Sequence, residues 1–175
     1  MTTALMVIDV QEGMQPKKAH DGEGVVSRIA ELLKRARAAG VPVVYVQHDG
    51  SKEPGHPLTK GKPGHAIYHE IAPKDGETVV VKQTCNSFQD TDLDARLRAA
   101  KIDGLIVCGM QTEFCVDTAV RAAAERGYKI TLVSDAHSTG DTPALKAKDI
   151  VAHHNFTLQE FAKVKRADEI TFQAR

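Results

Sequence analysis

Short, nearly continuous apolar runs alternate with longer amphipathic segments along this chain, and this alternation most constrains its fold. The apolar runs predict strands at residues 4–10, 41–47, 78–82, 104–110 and 128–136, with a shorter one at 162–164. Unbroken apolar runs are typical of strands that are buried on both faces of a sheet. The amphipathic segments predict helices at residues 24–39, 91–101, 115–126 and 142–153. Together they predict an α/β fold with a parallel sheet covered by helices on both faces.

The composition limits the classes of partner that such a chain could have. Its 175 residues suit one domain, residues 1–175, and its 23 Lys and Arg balance 23 Asp and Glu. Because the formal net charge is zero, we expect no nucleic acid partner and no membrane partner. The first apolar run is too short for a signal peptide, and three cysteines without export signals suit a reducing compartment. We therefore expect a cytoplasmic protein.

Polar side chains lie at the carboxyl ends of the predicted strands, where open α/β sheets bind their ligands. They are Asp9 and Gln11 after the first strand, Gln47 and His48 after the second, Lys82 at the third, residues 109–115 after the fourth, and Asp135 and His137 after the fifth. An acid, a lysine and a cysteine thus share one edge of the predicted sheet.

Cys115 is the candidate nucleophile, because it stands at the predicted start of a helix. Unpaired N–H groups and the helix dipole at that position lower the pKa of a thiol. The loop before it could also supply backbone N–H donors for an oxyanion. Free cysteines are nevertheless among the most commonly buried residues, so a core role for Cys115 stays open. Cys108 lies within a predicted strand, and Cys85 lies in a loop without a helix start.

Asp9 and Lys82 are each ambiguous alone but complement Cys115. Asp9 could simply cap a loop, and the Lys82 stem could pack while its ammonium reaches water. At one edge of the sheet, however, Asp9 could accept the thiol proton while Cys115 attacks a substrate. Lys82 could then stabilise the charge and orient Asp9.

Several potential metal ligands lie in the irregular segment between the second and third strands. They are His48, Asp49, His56, His65 and His69. A mononuclear site is conceivable, but the spacing matches neither HExxH nor a D-x-H pattern from Asp49, because residue 51 is Ser. We favour histidines that line a pocket or face solvent, and we expect no metal and no other cofactor.

Four stretches resemble the isochorismatase-like cysteine hydrolases. They are DVQ at 9–11, the lysine that ends VVVK at 82, NSFQDTDL at 86–93, and GMQTEFCVDTAVRAAAERGY from 109. The resemblance spans nearly the whole chain and keeps the order of the motifs. It implies an isochorismatase-like, Rossmann-like three-layer α/β/α fold with a mostly parallel six-stranded sheet. It also implies a catalytic triad of Asp9, Lys82 and Cys115.

The resemblance implies further features of the site. A non-proline cis peptide would fall between Met110 and Gln111, and the N–H groups of Gln111 and Cys115 would form an oxyanion hole. The rim positions and the resemblance together suggest substrate-binding residues, which are Gln11, His48, Phe88, Glu113 and Phe114. Nicotinamidases of this family bind a metal through a D-x-H motif, which is broken here, so neither metal nor nicotinamide is expected.

The expected function is hydrolysis of a C–N bond in a small-molecule amide through a thioester, with Asp9 as general base and acid. Two alternatives stay open: hydrolysis of a vinyl ether, as in isochorismatases proper, and a non-catalytic small-molecule binder on the same fold. Members of the resembled family are often oligomers, so a homo-oligomer, either a dimer or a tetramer, is expected.

Overall fold

A single parallel sheet runs through the computed structural model, which describes residues 2–172. Its six strands lie in the order β3-β2-β1-β4-β5-β6, and each pairs in parallel with its neighbour. They are β1 (Thr3–Ile8), β2 (Val43–His48), β3 (Thr78–Lys82), β4 (Gly104–Met110), β5 (Lys129–Ser138) and β6 (Lys163–Lys165). The six-stranded parallel sheet of the predicted fold class is confirmed.

Helices cover both faces of this sheet and give the molecule its three layers. They are α1 (Gly22–Ala38), α2 (Leu93–Ala99), α3 (Asp117–Glu125) and α4 (Ala147–Thr157). Alternate residues of β1 face opposite sides: Met6 joins a core with α2 and α3, whereas Leu5 joins a core with α1. The buried strand β1 therefore contributes to both cores, as its unbroken apolar run predicted.

Some element boundaries differ from the sequence-based expectation. The bounds of β3 and β4 match it, but the last predicted helix begins only at Ala147. Thr142 instead closes a turn with Leu145, whose N–H donates to the Thr142 hydroxyl at 3.0 Å. The strand β5 extends to Ser138, so Asp135 and His137 lie within it rather than after it.

The segment between β2 and β3 folds over the carboxyl edge of the sheet without long helices. It contains two short 3-10 turns, Pro63–His65 and His69–Ile71, and its Ile67 forms an isolated antiparallel bridge with Gln11. Asp49 fixes its first part by accepting backbone hydrogen bonds from Ser51 and Lys60, both at 3.0 Å. None of the helices within residues 2–172 is long and apolar enough to cross a membrane.

Candidate active site

The site is built where the order of the strands reverses, between the central strands β1 and β4. Asp9 directly follows β1 and has a left-handed backbone φ of 50°, and its N–H donates to the carbonyl of Val46 at 2.9 Å. Gly109 in β4 has a φ of 128°, and a Cβ there would lie 2.1 Å from the Ile8 carbonyl oxygen. Only glycine allows β4 to approach β1 so closely just before the segment that carries Cys115.

Lys82 joins the two other predicted catalytic residues in one buried cluster. Its Nζ lies 2.6 Å from Oδ2 of Asp9 and 3.2 Å from Sγ of Cys115. Asp9 is 3% exposed and Lys82 is 1% exposed, so water hardly reaches this ion pair. Three residues from three separate parts of the chain are thus brought into contact around one ammonium group.

Burial sets the protonation of this cluster. It raises the pKa of the Asp9 carboxyl, although the nearby Lys82 opposes the rise. Burial lowers the pKa of Lys82, but its attraction to Asp9 and Cys115 outweighs this, so the pKa is raised and Lys82 is an ammonium. Burial and the neighbouring Asp9 raise the pKa of the Cys115 thiol. Since Lys82 balances only one negative charge, the carboxyl and the thiol hold one proton between them.

This result corrects the expectation that a helix start lowers the pKa of the Cys115 thiol. The helical segment begins earlier, as a π-helical turn over Thr112–Val116, and α3 follows at Asp117. Cys115 is therefore the fourth residue of a turn, and the adjacent carboxylate and burial outweigh the dipole. The N–H groups of Phe114 and Val116, on either side of it, both donate to the carbonyl of Gln111.

The peptide bond between Met110 and Gln111 is cis, which confirms that expectation. Gln111 is the residue that caps the π-helical turn, with extended backbone angles. The assignment of the Gln111 and Cys115 N–H groups to an oxyanion hole stays a prediction.

His48 is a fourth member of the cluster. Its Nδ1 lies 3.3 Å from Nζ of Lys82, so the three protons of the ammonium have three neighbouring acceptors: Asp9, Cys115 and His48. Burial and the positive charge of Lys82 lower the pKa of His48 to about 4, which keeps its ring neutral near pH 7. The structure thus places His48 beside Lys82, and its role in substrate binding stays a prediction.

Gln11 and Phe88 were expected to contact substrate, and the structure gives both of them other contacts. Nε2 of Gln11 donates to the carbonyls of His48 at 3.0 Å and His65 at 2.7 Å, while its Oε1 accepts from the His48 N–H. Both ends of its side-chain amide are therefore hydrogen-bonded to the backbone of His48 and His65. Phe88 packs in the core against Tyr128, with the Arg126 guanidinium 4.8 Å above its ring. Substrate contacts of Gln11 and Phe88 stay a prediction.

Glu113 and Phe114 lie in the same turn as Cys115 but face different surroundings. One Glu113 oxygen accepts from the Thr139 hydroxyl at 2.9 Å, and the other is buried without a hydrogen-bond partner among the described residues. Phe114 is 50% exposed. Both stay predicted substrate-binding residues.

His137 connects the turn that carries Cys115 to α4, a role that the sequence did not indicate. Its Nε2 lies 3.0 Å from Oδ1 of Asn155 and its Nδ1 lies 2.9 Å from the Thr112 hydroxyl. Because Nδ2 of Asn155 donates to the carbonyl of Ser134, Oδ1 is the acceptor, and the His137 proton must lie on Nε2. Because both ring nitrogens are hydrogen-bonded, His137 has no free nitrogen with which to act as a base for Cys115.

The remaining candidates lie apart from the cluster. Asp135 accepts the Ala167 N–H at 2.8 Å and pairs with Arg166.

Within residues 2–172, no group of three or more His, Cys, Asp or Glu side chains is arranged to hold a metal ion. A cavity of about 750 Å³ opens at the opposite, amino-terminal edge of the sheet, beside Thr3, Lys129 and Lys163. It is therefore separate from the Cys115 site.

Comparison with known proteins identifies the family of this chain. A family model described as the isochorismatase domain matches residues 3–168. The chain belongs to the isochorismatase family. YddQ, an uncharacterised isochorismatase family protein of Bacillus subtilis, is 37% identical over 157 residues, which cover 88% of this chain and 87% of YddQ. Streptothricin hydrolase of Streptomyces noursei is 39% identical over 143 residues, which cover 81% of this chain but only 56% of that protein.

Solved structures of the isochorismatase family share the fold over almost the whole chain. An isochorismatase from Pseudomonas putida superposes with a TM-score of 0.90 at 30% identity, covering 97% of this chain and 90% of that one. N-carbamoylsarcosine amidase from Thermoplasma acidophilum has a TM-score of 0.81 at 28% identity, covering 97% and 99%. The predicted isochorismatase-like α/β fold is thereby confirmed, and the chain is an isochorismatase-family hydrolase with amidohydrolases among its relatives.

Proposed function

We propose that this protein is a cysteine hydrolase that cleaves a C–N bond of a small amide through a thioester. The observation that carries the proposal is the buried Lys82 ammonium in contact with both the Asp9 carboxylate and the Cys115 sulfur. A nucleophile, a proton acceptor and a fixed positive charge are the groups that acyl transfer requires.

The contacts of Lys82 explain how the thiol could be activated although its pKa is raised. Transfer of the thiol proton to Asp9 moves one negative charge from the carboxylate to the sulfur. Both atoms contact the same ammonium, so the charge around Lys82 is unchanged by the transfer. The thiolate therefore need not exist in the resting protein, because it forms as the substrate is attacked.

The remaining steps use the proton that Asp9 has taken from the Cys115 thiol. The Cys115 sulfur bonds to the amide carbonyl carbon, and the Gln111 and Cys115 N–H groups receive the oxyanion. As the C–N bond breaks, Asp9 gives its proton to the leaving amine, which leaves a thioester on Cys115. Asp9 then takes a proton from water, whose oxygen attacks the thioester. Collapse of this adduct releases the acid and returns the proton to the sulfur.

The relatives support the reaction class without assigning the substrate. N-carbamoylsarcosine amidase is by its name an amidase, and it matches this chain along its full length. Streptothricin hydrolase adds a second hydrolase to which the chain is similar. Both are consistent with C–N hydrolysis here.

A panel of small amides, read by ammonia release and by intact-protein mass, tests the proposal. Cys115→Ala should reduce turnover by about a thousandfold or more, and the wild-type protein should accumulate an acyl adduct on Cys115. Cys85→Ala is the matched control, since Cys85 is an exposed cysteine that makes none of the contacts around Lys82, and its turnover should equal that of the wild-type.

Two outcomes would replace the proposal with another function. Hydrolysis of a vinyl ether that survives Cys115→Ala but not Asp9→Asn would indicate an isochorismatase-type reaction. Binding of small amides without any acyl adduct or ammonia release would indicate a non-catalytic binder.

A further inference from the structure

Three histidines near the cluster share one feature: Nδ1 of each ring lies against a group that can only donate a hydrogen bond. Nδ1 of His48 is 3.3 Å from the Lys82 ammonium, and Nδ1 of His56 is 3.1 Å from the N–H of Leu58. Nδ1 of His65 is 3.4 Å from Nε2 of Gln47. Nε2 of Gln47 also donates to the carbonyl of His65 at 2.7 Å, which fixes the orientation of that amide.

These contacts determine where each imidazole carries its proton. An ammonium, a backbone N–H and an amide NH₂ offer no lone pair, so each Nδ1 must be the acceptor. A neutral ring with an acceptor at Nδ1 has its proton on Nε2. The three rings therefore present N–H donors rather than the bare nitrogens that would ligate a metal ion.

The three histidines lie in one region, and His48 is the one next to the sulfur of Cys115. The carbonyls of His48 and His65 both accept from the same Nε2 atom of Gln11, and the rings of His48 and His56 are 5.5 Å apart between centroids. The Lys82 ammonium contacts both His48 and Cys115, so the His48 ring is adjacent to the reacting sulfur.

Two of these donors have no acceptor in the part of the chain that the structure describes. Nε2 of His65 is buried without a hydrogen-bond partner, which is unfavourable for a donor. The His48 ring is only partly buried, and the contact found for it is through Nδ1. Because the unpaired donor of His48 lies next to the nucleophile, we expect its acceptor to arrive with the substrate.

We propose that His48, through Nε2–H, binds an acceptor oxygen on the part of the substrate that is not cleaved. The substrate class is then an amide that carries a second oxygen acceptor, either a carboxylate or another carbonyl. This inference rests on the proposed amidase function, and it adds what the site recognises beside the scissile bond.

Succinamate, succinamide and butyramide form a matched probe set, because they share a four-carbon primary amide and end in a carboxylate, a carbonyl and a methyl group. The kcat/KM for ammonia release should be at least about tenfold higher with an acceptor-bearing amide than with butyramide. The better of the two acceptor-bearing amides identifies whether the oxygen is a carboxylate or a carbonyl. Equal values for all three would overturn the proposal.

The variant His48→Asn separates the contact of the ring with Lys82 from its proposed contact with the substrate. Its Oδ1 can still accept from Lys82, but the shorter side chain lacks a donor at the position of Nε2. The preference for an acceptor-bearing amide should fall about tenfold, and His69→Asn should keep it, because His69 is an exposed histidine of the same segment, paired with Glu12. An unchanged preference in a folded His48→Asn protein would overturn the proposal.

A measurement on unreacted protein makes the inference independent of turnover. In Cys115→Ala labelled with ¹⁵N-histidine, long-range NMR correlations should show His48 and His65 with the proton on Nε2. Succinamate or succinamide should shift the His48 Nε2–H signal, and butyramide should not. The opposite tautomer, or no shift with either acceptor, refutes the inference. Such a shift without ammonia release or an acyl adduct in the wild-type would instead refute the amidase function alone.

Discussion

Lys82 is the residue on which the proposed chemistry most depends, and its side chain has no exposed surface. A buried lysine remains charged only when opposite charge compensates its desolvation, and Asp9 supplies that charge at 2.6 Å. The dependence is mutual, because the ionised Asp9 carboxylate is equally buried. The pair therefore keeps both groups charged, but it adds little to the free energy of unfolding because both charges are desolvated.

Replacement of Lys82 by Met should destabilise the protein in a pH-dependent way. It leaves Asp9 without a counter-charge, which costs about 3–5 kcal/mol near neutral pH. The folded-state pKa of Asp9 is already raised, and it rises further without Lys82, so Asp9 is protonated at low pH at little cost. The difference in unfolding free energy from the wild-type should widen as pH rises from 4 to 8, measured by urea denaturation.

The double variant Asp9→Asn with Lys82→Met is the control for this prediction. It removes both charges, so its stability relative to the wild-type should depend much less on pH and should exceed that of Lys82→Met at pH 8. A difference for Lys82→Met that is constant from pH 4 to pH 8 would contradict an ionised, buried Asp9.

At the scale of the elements, the turn that carries Cys115 depends on support from β5 and α4. His137 of β5 connects the Thr112 hydroxyl to Asn155 of α4, and its ring is 1% exposed. Burial lowers the pKa of His137 to about 4, so the ring is neutral in the folded protein near pH 7. This neutral form holds Thr112 at the start of the turn, where the carbonyl of the neighbouring Gln111 accepts from the N–H groups of Phe114 and Val116.

The pKa of His137 predicts a loss of stability in mild acid. It lies below the unfolded value of 6.5, so the contribution of the neutral ring is complete above pH 6.5 and is lost as pH falls towards 4. The shift corresponds to about 3 kcal/mol. His137→Gln cannot titrate, so the stability advantage of the wild-type over this variant should shrink between pH 7 and pH 4. Parallel curves in urea denaturation at the two pH values would contradict the assignment.

The sequence predicted elements well where burial alone determines them. The bounds of β3 and β4 were correct because each apolar run is sharply bounded, by Glu77 before β3 and by Asp103 before β4. The π-helical turn was missed because its five residues are too few to show a period. That Asp9, Lys82 and Cys115 lie together could be predicted, since the carboxyl ends of parallel strands share one edge. The contacts that Gln11 and Phe88 make could not be predicted, because position along that edge does not determine the direction of a side chain.

At the scale of the whole molecule, the candidate site is assembled from strands that lie far apart in the sequence. Asp9 follows β1, Cys115 follows β4, and Lys82 ends β3, which is two strands away from β1. Helices leave β1 and β4 towards opposite faces of the sheet, which opens a crevice between them at the carboxyl edge. The segment between β2 and β3 then covers that crevice, so its histidines adjoin residues from three strands.

The surface near α4 bears on the predicted homo-oligomer. The large apolar side chains that remain exposed include Phe156 at 74%, Leu145 at 52% and Phe114 at 50%. The helix α4 packs against the turn that contains Phe114, so these side chains belong to neighbouring elements. Contiguous exposed apolar surface is typical of surfaces that pack against another chain, and Phe156 is the most exposed of these side chains. We therefore propose that a second copy covers α4.

Sedimentation equilibrium tests this proposal with a matched pair of variants on α4. The wild-type should sediment as a dimer or a tetramer, and Phe156→Glu should sediment as a monomer because a buried carboxylate would oppose the interface. Lys148→Glu introduces the same side chain on the same helix, where the ammonium of Lys148 is 67% exposed. It should keep the wild-type mass, because it introduces a carboxylate without removing an apolar side chain. A monomeric wild-type at micromolar concentration would contradict the proposal, and loss of the oligomer in both variants would remove Phe156 as its basis.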